Sequence, residues 1–186
     1  MDVLLYSAGG HGRSVSELIN NLNLNIVAYA EKSKSKWLKN VPLISDNEIK
    51  KFSDKIGIAI GLGGTDPIQL KYRLNKIENI SKNKRAISLI AKSAIIAKDS
   101  IIEEGTVIMP GAIIRSGVII KKYSIINSGT IIEHDCIIGA GTHIAPGAIV
   151  LGSVKCGKCC MIAAGSIITP EKNIPDYSFV KAGKIF

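Results

Sequence analysis

The chain has 186 residues, 46% hydrophobic and 21% charged, enough to bury a sizeable core in one large or two small domains. Its net charge of +9 raises nucleic-acid binding, but the lysines are dispersed, aromatic residues make up only 5%, and no nucleic-acid motif is present. No apolar run reaches the length of a membrane span, and Met1-Asp2-Val3-Leu4 lacks the basic start of a signal peptide, so a cytoplasmic location and no membrane partner are expected.

Val3–Tyr6 reads as a buried strand, followed by the turn Ser7-Ala8-Gly9-Gly10-His11-Gly12. Val15, Leu18, Ile19 and Leu22 then mark one face of a helix. Ile26–Ala30 is a second strand, residues 31–40 a lysine-rich loop, and Ile44–Phe52 a short helix. Ile56–Ile60 is a third strand ending at Gly61-Leu62-Gly63-Gly64. Asp66 with Pro67 makes a helix start, and Leu70, Leu74 and Ile77 form the apolar stripe behind it. Arg85–Ile90 is a last strand. The order is that of a small Rossmann-like α/β domain, placed at 1–85, with ligands expected at the strand ends by Ser7–Gly12 and Gly61–Thr65. The first loop is glycine-rich but is not G-x-G-x-x-G, so a dinucleotide site is poorly supported.

From Ile90 an aliphatic residue or cysteine returns every sixth position to Ile168, an unbroken register of fourteen hexads. Small or β-branched residues follow four later, from Ala94 to Ser166. That period fits neither a helix nor an alternating strand and marks a hexapeptide β-helix over 86–186. Gly105, Gly111, Gly117, Gly129, Gly141, Gly147 and Gly165 fall at the turns, where positive φ is expected. Three hexads make a coil, so Ile90–Pro170 gives four to five coils; the register can be extended to Ile174 and Val180, although the pattern degrades after Ile168. Outward positions stack eighteen apart. Ile95, Ile113, Ile131, Ile149 and Ile167 make an apolar ribbon that another subunit or the N-terminal domain must cover.

Cys136, Cys156, Cys159 and Cys160 lack a second metal-binding pair and read as small buried hydrophobes in a reducing compartment. Glu133-His134-Asp135 sets a histidine between two acids at a coil corner, an arrangement suited to general-base chemistry. His143 interrupts the apolar exterior on another face.

The segments Tyr6–Gly12, Asn127-Ser-Gly-Thr-Ile-Ile-Glu-His-Asp-Cys136 and Gly139–Gly147 resemble those of two-domain sugar acetyltransferases. That group includes bacterial sialic acid O-acetyltransferases and N-acetyltransferases of nucleotide-linked amino sugars of the bacillosamine and perosamine type. The resemblance implies a left-handed β-helix, a homotrimer, and direct transfer from acetyl-CoA without a metal. It makes His134 the general base, with Glu133 or Asp135 orienting it. It assigns Asn127, Ser7, Gly9, Gly10, His11, Gly12 and Glu31 to the acceptor, and His143, Gly152 and Ala164 to coenzyme A, with the Gly152 N–H as oxyanion donor. N-acetylation of a nucleotide-linked amino sugar leads; O-acetylation of sialic acid, or a non-catalytic trimeric scaffold, are the alternatives. A metal-dependent trimer of the carbonic anhydrase kind lacks a third β-helix histidine. Three departures stand out: a single acid, Glu31, after the second strand, a β-helix about one coil shorter, and a reduced tail at Lys181-Ala182-Gly183-Lys184.

Overall fold

The computed structural model describes residues 1–82 and 84–186. The N-terminal part is a four-stranded parallel sheet in the order β3-β2-β1-β4, built from β1 (Asp2–Tyr6), β2 (Asn25–Ala30), β3 (Leu43–Ile44) and β4 (Gly57–Ile60). Helices α1 (Gly10–Asn21) and α2 (Pro67–Ser81) pack on opposite faces. Alternation along the strands explains this sandwich: Val3, Leu5, Tyr29 and Ala59 meet Val15, Leu18 and Ile19 of α1, while Leu4, Ala28, Ile58 and Ile60 meet Leu70, Leu74 and Ile77 of α2. Asp66 caps α2 as expected, its carboxylate accepting from Gln69 N at 2.8 Å.

Two sequence expectations change here. Ile44–Phe52 divides into the end of β3 and a 3-10 turn over Asp46–Lys51, because Ser45 and Glu48 close a capping box there. Arg85–Ile90 is not one strand. Ala86 forms a single parallel bridge with Ile58, and Leu89–Ile90 already pairs with Val107–Ile108 of the next domain.

From Leu89 to Val180 the chain forms sixteen two-residue strands in three parallel sheets, the sides of a triangular β-helix. Side A stacks Ile95, Ile113, Ile131, Ile149 and Ile167. Side B stacks Ile101, Ile119, Ile137, Lys155 and Asn173. Side C stacks Leu89, Val107, Ile125, His143, Met161 and Phe179. The hexad register therefore runs on past Ile168, through Ile174 and Val180, and Ile185 bridges to Ile167. Those last coils keep the inward aliphatic position while losing the glycines and isoleucines that made the repeat visible.

Every sixth residue from Gly105 to Gly183 has positive φ. Glycine fills eight of these corners; Tyr123, Asp135, Ser153, Cys159, Glu171 and Tyr177 fill the rest. The interior takes the aliphatic residue and the small one, with Thr106, Ser124, Thr130 and Ser166 fully buried. Their hydroxyls donate to the carbonyl three residues back, so the narrow core holds no unsatisfied hydroxyl at these positions.

The α/β unit sits on side C. Val107, Met109, Ala145, Cys159 and Met161 join its two cores. The isoleucine ribbon of side A stays uncovered: Ile95 is 61% exposed and Ile113, Ile131, Ile149 and Ile167 are partly exposed. Among the described residues no helix is long and apolar enough to cross a membrane.

Candidate active site

His134 and Asp135 occupy the corner between sides A and B. Asp135 takes the left-handed conformation, φ 59°, which turns its carboxylate back onto the preceding ring. Its Oδ2 lies 2.9 Å from His134 Nδ1, and both side chains face solvent. Glu133 has no side-chain hydrogen bond among the described residues, so of the two acids flanking His134 it is Asp135 that contacts the imidazole. Since a carboxylate only accepts, Nδ1 carries the proton and Nε2 is the basic nitrogen.

The ring lies over the next coil. A Cβ on Gly152 would stand 2.6 Å from His134 Nε2, so glycine is needed here for a close approach. Ser153 N donates to His134 O, and Leu151 N to Ile168 O. The Gly152 N–H between them has no acceptor among the described residues.

Asn127 and His143 form a second constellation, on side C beneath the α/β unit. His143 is 8% exposed. Its Nδ1 donates to Gly64 O at 2.9 Å, and its Nε2 lies 3.0 Å from Asn127 Nδ2. Burial lowers the His143 pKa; the bond to Gly64 raises it in part, and the Arg73 charge lowers it further. The His11 ring is 6.4 Å away and burial brings its pKa down to about 3, helped by Arg73 and His143.

In the α/β unit, Ser7 Oγ and Ala8 N donate to Glu31 Oε2 at 2.9 and 3.1 Å, and Lys32 N to Oε1 at 2.9 Å. Burial opposes the charge of Glu31, but these hydrogen bonds outweigh it and hold the carboxyl below its usual range. Glu31 and Ser7 line a cavity of about 570 Å³, with Tyr6, Asp46, Leu62, Tyr72 and Lys76. Gly12 packs α1 against the sheet: a Cβ there would meet Ser7 O at 2.3 Å. The α1 N-terminus at Gly9–Gly10 has no side-chain cap.

Two family models match the sequence: the PglD N-terminal domain over residues 2–66 and the bacterial transferase hexapeptide, six repeats, over residues 99–134. No curated protein sequence matches it. Among solved structures, the acetyltransferase domain of PglB from Neisseria gonorrhoeae shares 22% identity and a TM-score of 0.87, over all of this chain and 90% of that one. PerB from Caulobacter crescentus, in complex with CoA and GDP-perosamine, shares 22% identity and a TM-score of 0.90, over all of this chain and 88% of that one. WeeI from Acinetobacter baumannii shares 18% identity with a TM-score of 0.61, covering 94% of that chain. At these identities the likeness establishes the fold.

Ser7, Gly9, Gly10, His11, Gly12 and Glu31 lie in the segment that matches the PglD N-terminal domain, and the remaining candidates lie in the β-helix. Within one chain these residues do not converge. His134, Asp135 and Gly152 share the A–B corner, whereas Ala164 is exposed at the C–A corner and His143 is buried on side C. The A–B corner is the edge of the prism opposite side C, and side C is where the α/β unit packs. Among the described residues no cluster of His, Cys, Asp or Glu could hold a metal ion. The sequence reading missed Arg73, which has no exposed surface. Its signal was an arginine set between Leu70 and Ile77 on the buried stripe of α2. It also missed Tyr6, Asp46, Tyr72 and Lys76, which come from three separate elements and become neighbours only in the fold.

Proposed function

We propose that the chain is an acetyl-CoA-dependent acetyltransferase that N-acetylates a nucleotide-linked bacterial amino sugar. The observation that carries this reading is the His134–Asp135 pair lying against Gly152. Asp135 holds the tautomer in which Nε2 is free to take a proton, and a backbone N–H without an acceptor lies beside it. The acceptor amine attacks the thioester carbonyl and loses its proton to Nε2. The carbonyl oxygen takes up negative charge opposite the Gly152 N–H. As the tetrahedral adduct collapses the C–S bond breaks, and His134 returns the proton to the departing thiolate. General-base catalysis of this kind contributes about 10²–10⁴ in rate, and an oxyanion donor about 10²–10³. That PerB was crystallised with CoA and GDP-perosamine, and the PglB domain with acetyl coenzyme A, supports the same chemistry here.

The reading requires a second copy of the chain. The Glu31 cavity and Asn127 stand on the side C half, and His134 on the opposite edge, so one protomer's base serves its neighbour's acceptor. The uncovered ribbon of side A gives such a neighbour its seat, and a closed homotrimer gives every protomer one. Ala164 at the C–A corner and Gly152 at the A–B corner then meet coenzyme A from different protomers. His143 has both nitrogens engaged within its own chain, so it offers a thioester only its ring and acts mainly through Asn127. Four free buried cysteines suit a cytoplasmic location.

The test is thiol release from acetyl-CoA with UDP-, GDP- and dTDP-amino sugars and sialic acids as acceptors. Turnover with an amino sugar is the expected result. Turnover with sialic acids alone would replace N- by O-acetylation. No turnover, with no coenzyme A binding by calorimetry, would leave a non-catalytic trimer.

A further inference from the structure

The Asp135 carboxylate that holds His134 lies over the preceding coil, at Gly117 of the same A–B corner. A Cβ at residue 117 would stand 2.5 Å from Asp135 Oδ1 and no nearer than 3.5 Å to any other atom. The clash is with that one oxygen. The other, Oδ2, lies 2.9 Å from His134 Nδ1. Both oxygens belong to one rigid plane, so moving Oδ1 off an added methyl group turns Oδ2 away from the ring. The backbone of Asp135 cannot simply lift clear, because its N–H is bound to Ser116 O at 3.0 Å.

Backbone conformation alone does not call for glycine here. Gly117 has φ 71°, yet six of the fourteen left-handed corners carry side chains, Asp135 among them. What distinguishes the corners is the residue eighteen positions later. Gly111, Gly129, Gly147 and Gly165 are followed there by glycine, and a Cβ on any of them would meet nothing nearer than 3.8 Å. Gly105, Gly117 and Gly141 are followed by Tyr123, Asp135 and Cys159, whose side chains a Cβ would meet at 2.5, 2.5 and 3.3 Å. Tyr123 and Cys159 belong to a buried core. Asp135 does not: its side chain is 68% exposed and that of His134 60%. An exposed pair gains little from its own attraction, so its geometry must come from the backbone and the space around it. Gly117 leaves space for the carboxylate, as Gly152 on the following coil leaves space for the ring.

We propose that Gly117 is a positioning residue: by leaving room for the Asp135 carboxylate it keeps the proton of His134 on Nδ1 and Nε2 free to act as base. The consequence for catalysis rests on the acetyltransferase reading. The tautomer does not, and it is read in the free protein.

The chain has three histidines, so selective ¹⁵N-histidine labelling resolves the His134 tautomer by long-range ¹H–¹⁵N correlation at about pH 9, where a free imidazole is neutral. Wild type is expected to carry the proton on Nδ1, and Gly117→Ala should spread it over both nitrogens. Gly111→Ala, with φ 72° and its nearest neighbour at 3.8 Å, bears the same backbone cost and should keep the wild-type tautomer. With acetyl-CoA and acceptor, kcat of Gly117→Ala should fall by about 10–10²-fold while the KM for acetyl-CoA changes little. That loss should vanish in an Asp135→Ala background, where the carboxylate is already gone. Should Gly117→Ala not fold, Gly117→Asn brings the same Cβ on a residue that accepts the left-handed region more readily. Wild-type His134 protonated mainly on Nε2, a Gly117 variant with the wild-type tautomer, or an equal further loss in the Asp135→Ala background would overturn the proposal. Absence of acetyl transfer, with the spectra as expected, would count against the acetyltransferase reading alone.

Discussion

A methyl group on Gly152 would stand 2.6 Å from His134 Nε2, so the imidazole rests in space that only glycine leaves open. Gly152→Ala should push the ring off its position while touching nothing in the core. A misplacement of about 1 Å near the reacting atoms costs on the order of 10² in rate. We expect kcat to fall by about that factor with the melting temperature within about 2 °C of wild type, read by steady-state kinetics and calorimetry. The histidine and its flanking acids were legible in the sequence because charge interrupts an apolar repeat there. The choice of Asp135 over Glu133 was not. It follows from the left-handed corner at residue 135, which only the periodicity of φ reveals. Arg73 was legible in principle, since charge on a buried helical stripe is anomalous, but its partners are two backbone carbonyls that no side-chain pattern encodes.

At the scale of elements, the corners show how a short repeat specifies a long structure. Fourteen corners from residue 105 to 183 share one backbone conformation. At Gly129, φ is 65° and a Cβ would meet nothing within 4 Å. Gly129→Ala therefore isolates the backbone cost. A non-glycine residue in this region costs about 1–2 kcal/mol, offset in part by the lower entropy of the unfolded chain. We expect a net loss of about 1 kcal/mol in denaturant melts and unchanged kinetics; no loss would mean that packing rather than glycine sets the corner. Inward and outward positions followed from the hexad alone, and the capped start of α2 from Asp66 with Pro67 behind it. The 3-10 turn at Asp46–Lys51 did not follow from the sequence, because a capping box fits the start of either helix type. The coils after Ile168 were hard to read because Glu171 and Tyr177 take corner positions that glycine marks elsewhere.

At the scale of the molecule, the sequence named two covers for the isoleucine ribbon, another subunit or the N-terminal domain. The domain covers side C instead, so a second copy remains. Ile131→Glu places a charge at the middle of the ribbon without entering the prism, since Ile131 points outward while Ile132 fills the core. We expect light scattering to show a trimer for wild type and monomers for the variant, with acetyl transfer lost and circular dichroism retained. The boundary between the domains should respond to acid. His11 and His143 are buried with pKa values below that of a free imidazole, so the unfolded chain binds more protons than the folded one below about pH 6.5. Stability present above that pH should be lost progressively as the pH falls towards about 3, where His11 charges in the folded state. Chemical denaturation in steps from pH 8 to pH 4 reads the slope, and His11→Gln should flatten it.

The most direct test of the whole account is the rate of acetyl transfer by His134→Ala under conditions where the trimer and coenzyme A binding are shown to be intact. A loss of about 10²–10⁴ in kcat, with little change in affinity for coenzyme A, is the expected result. Transfer by His134→Ala at the wild-type rate would contradict it.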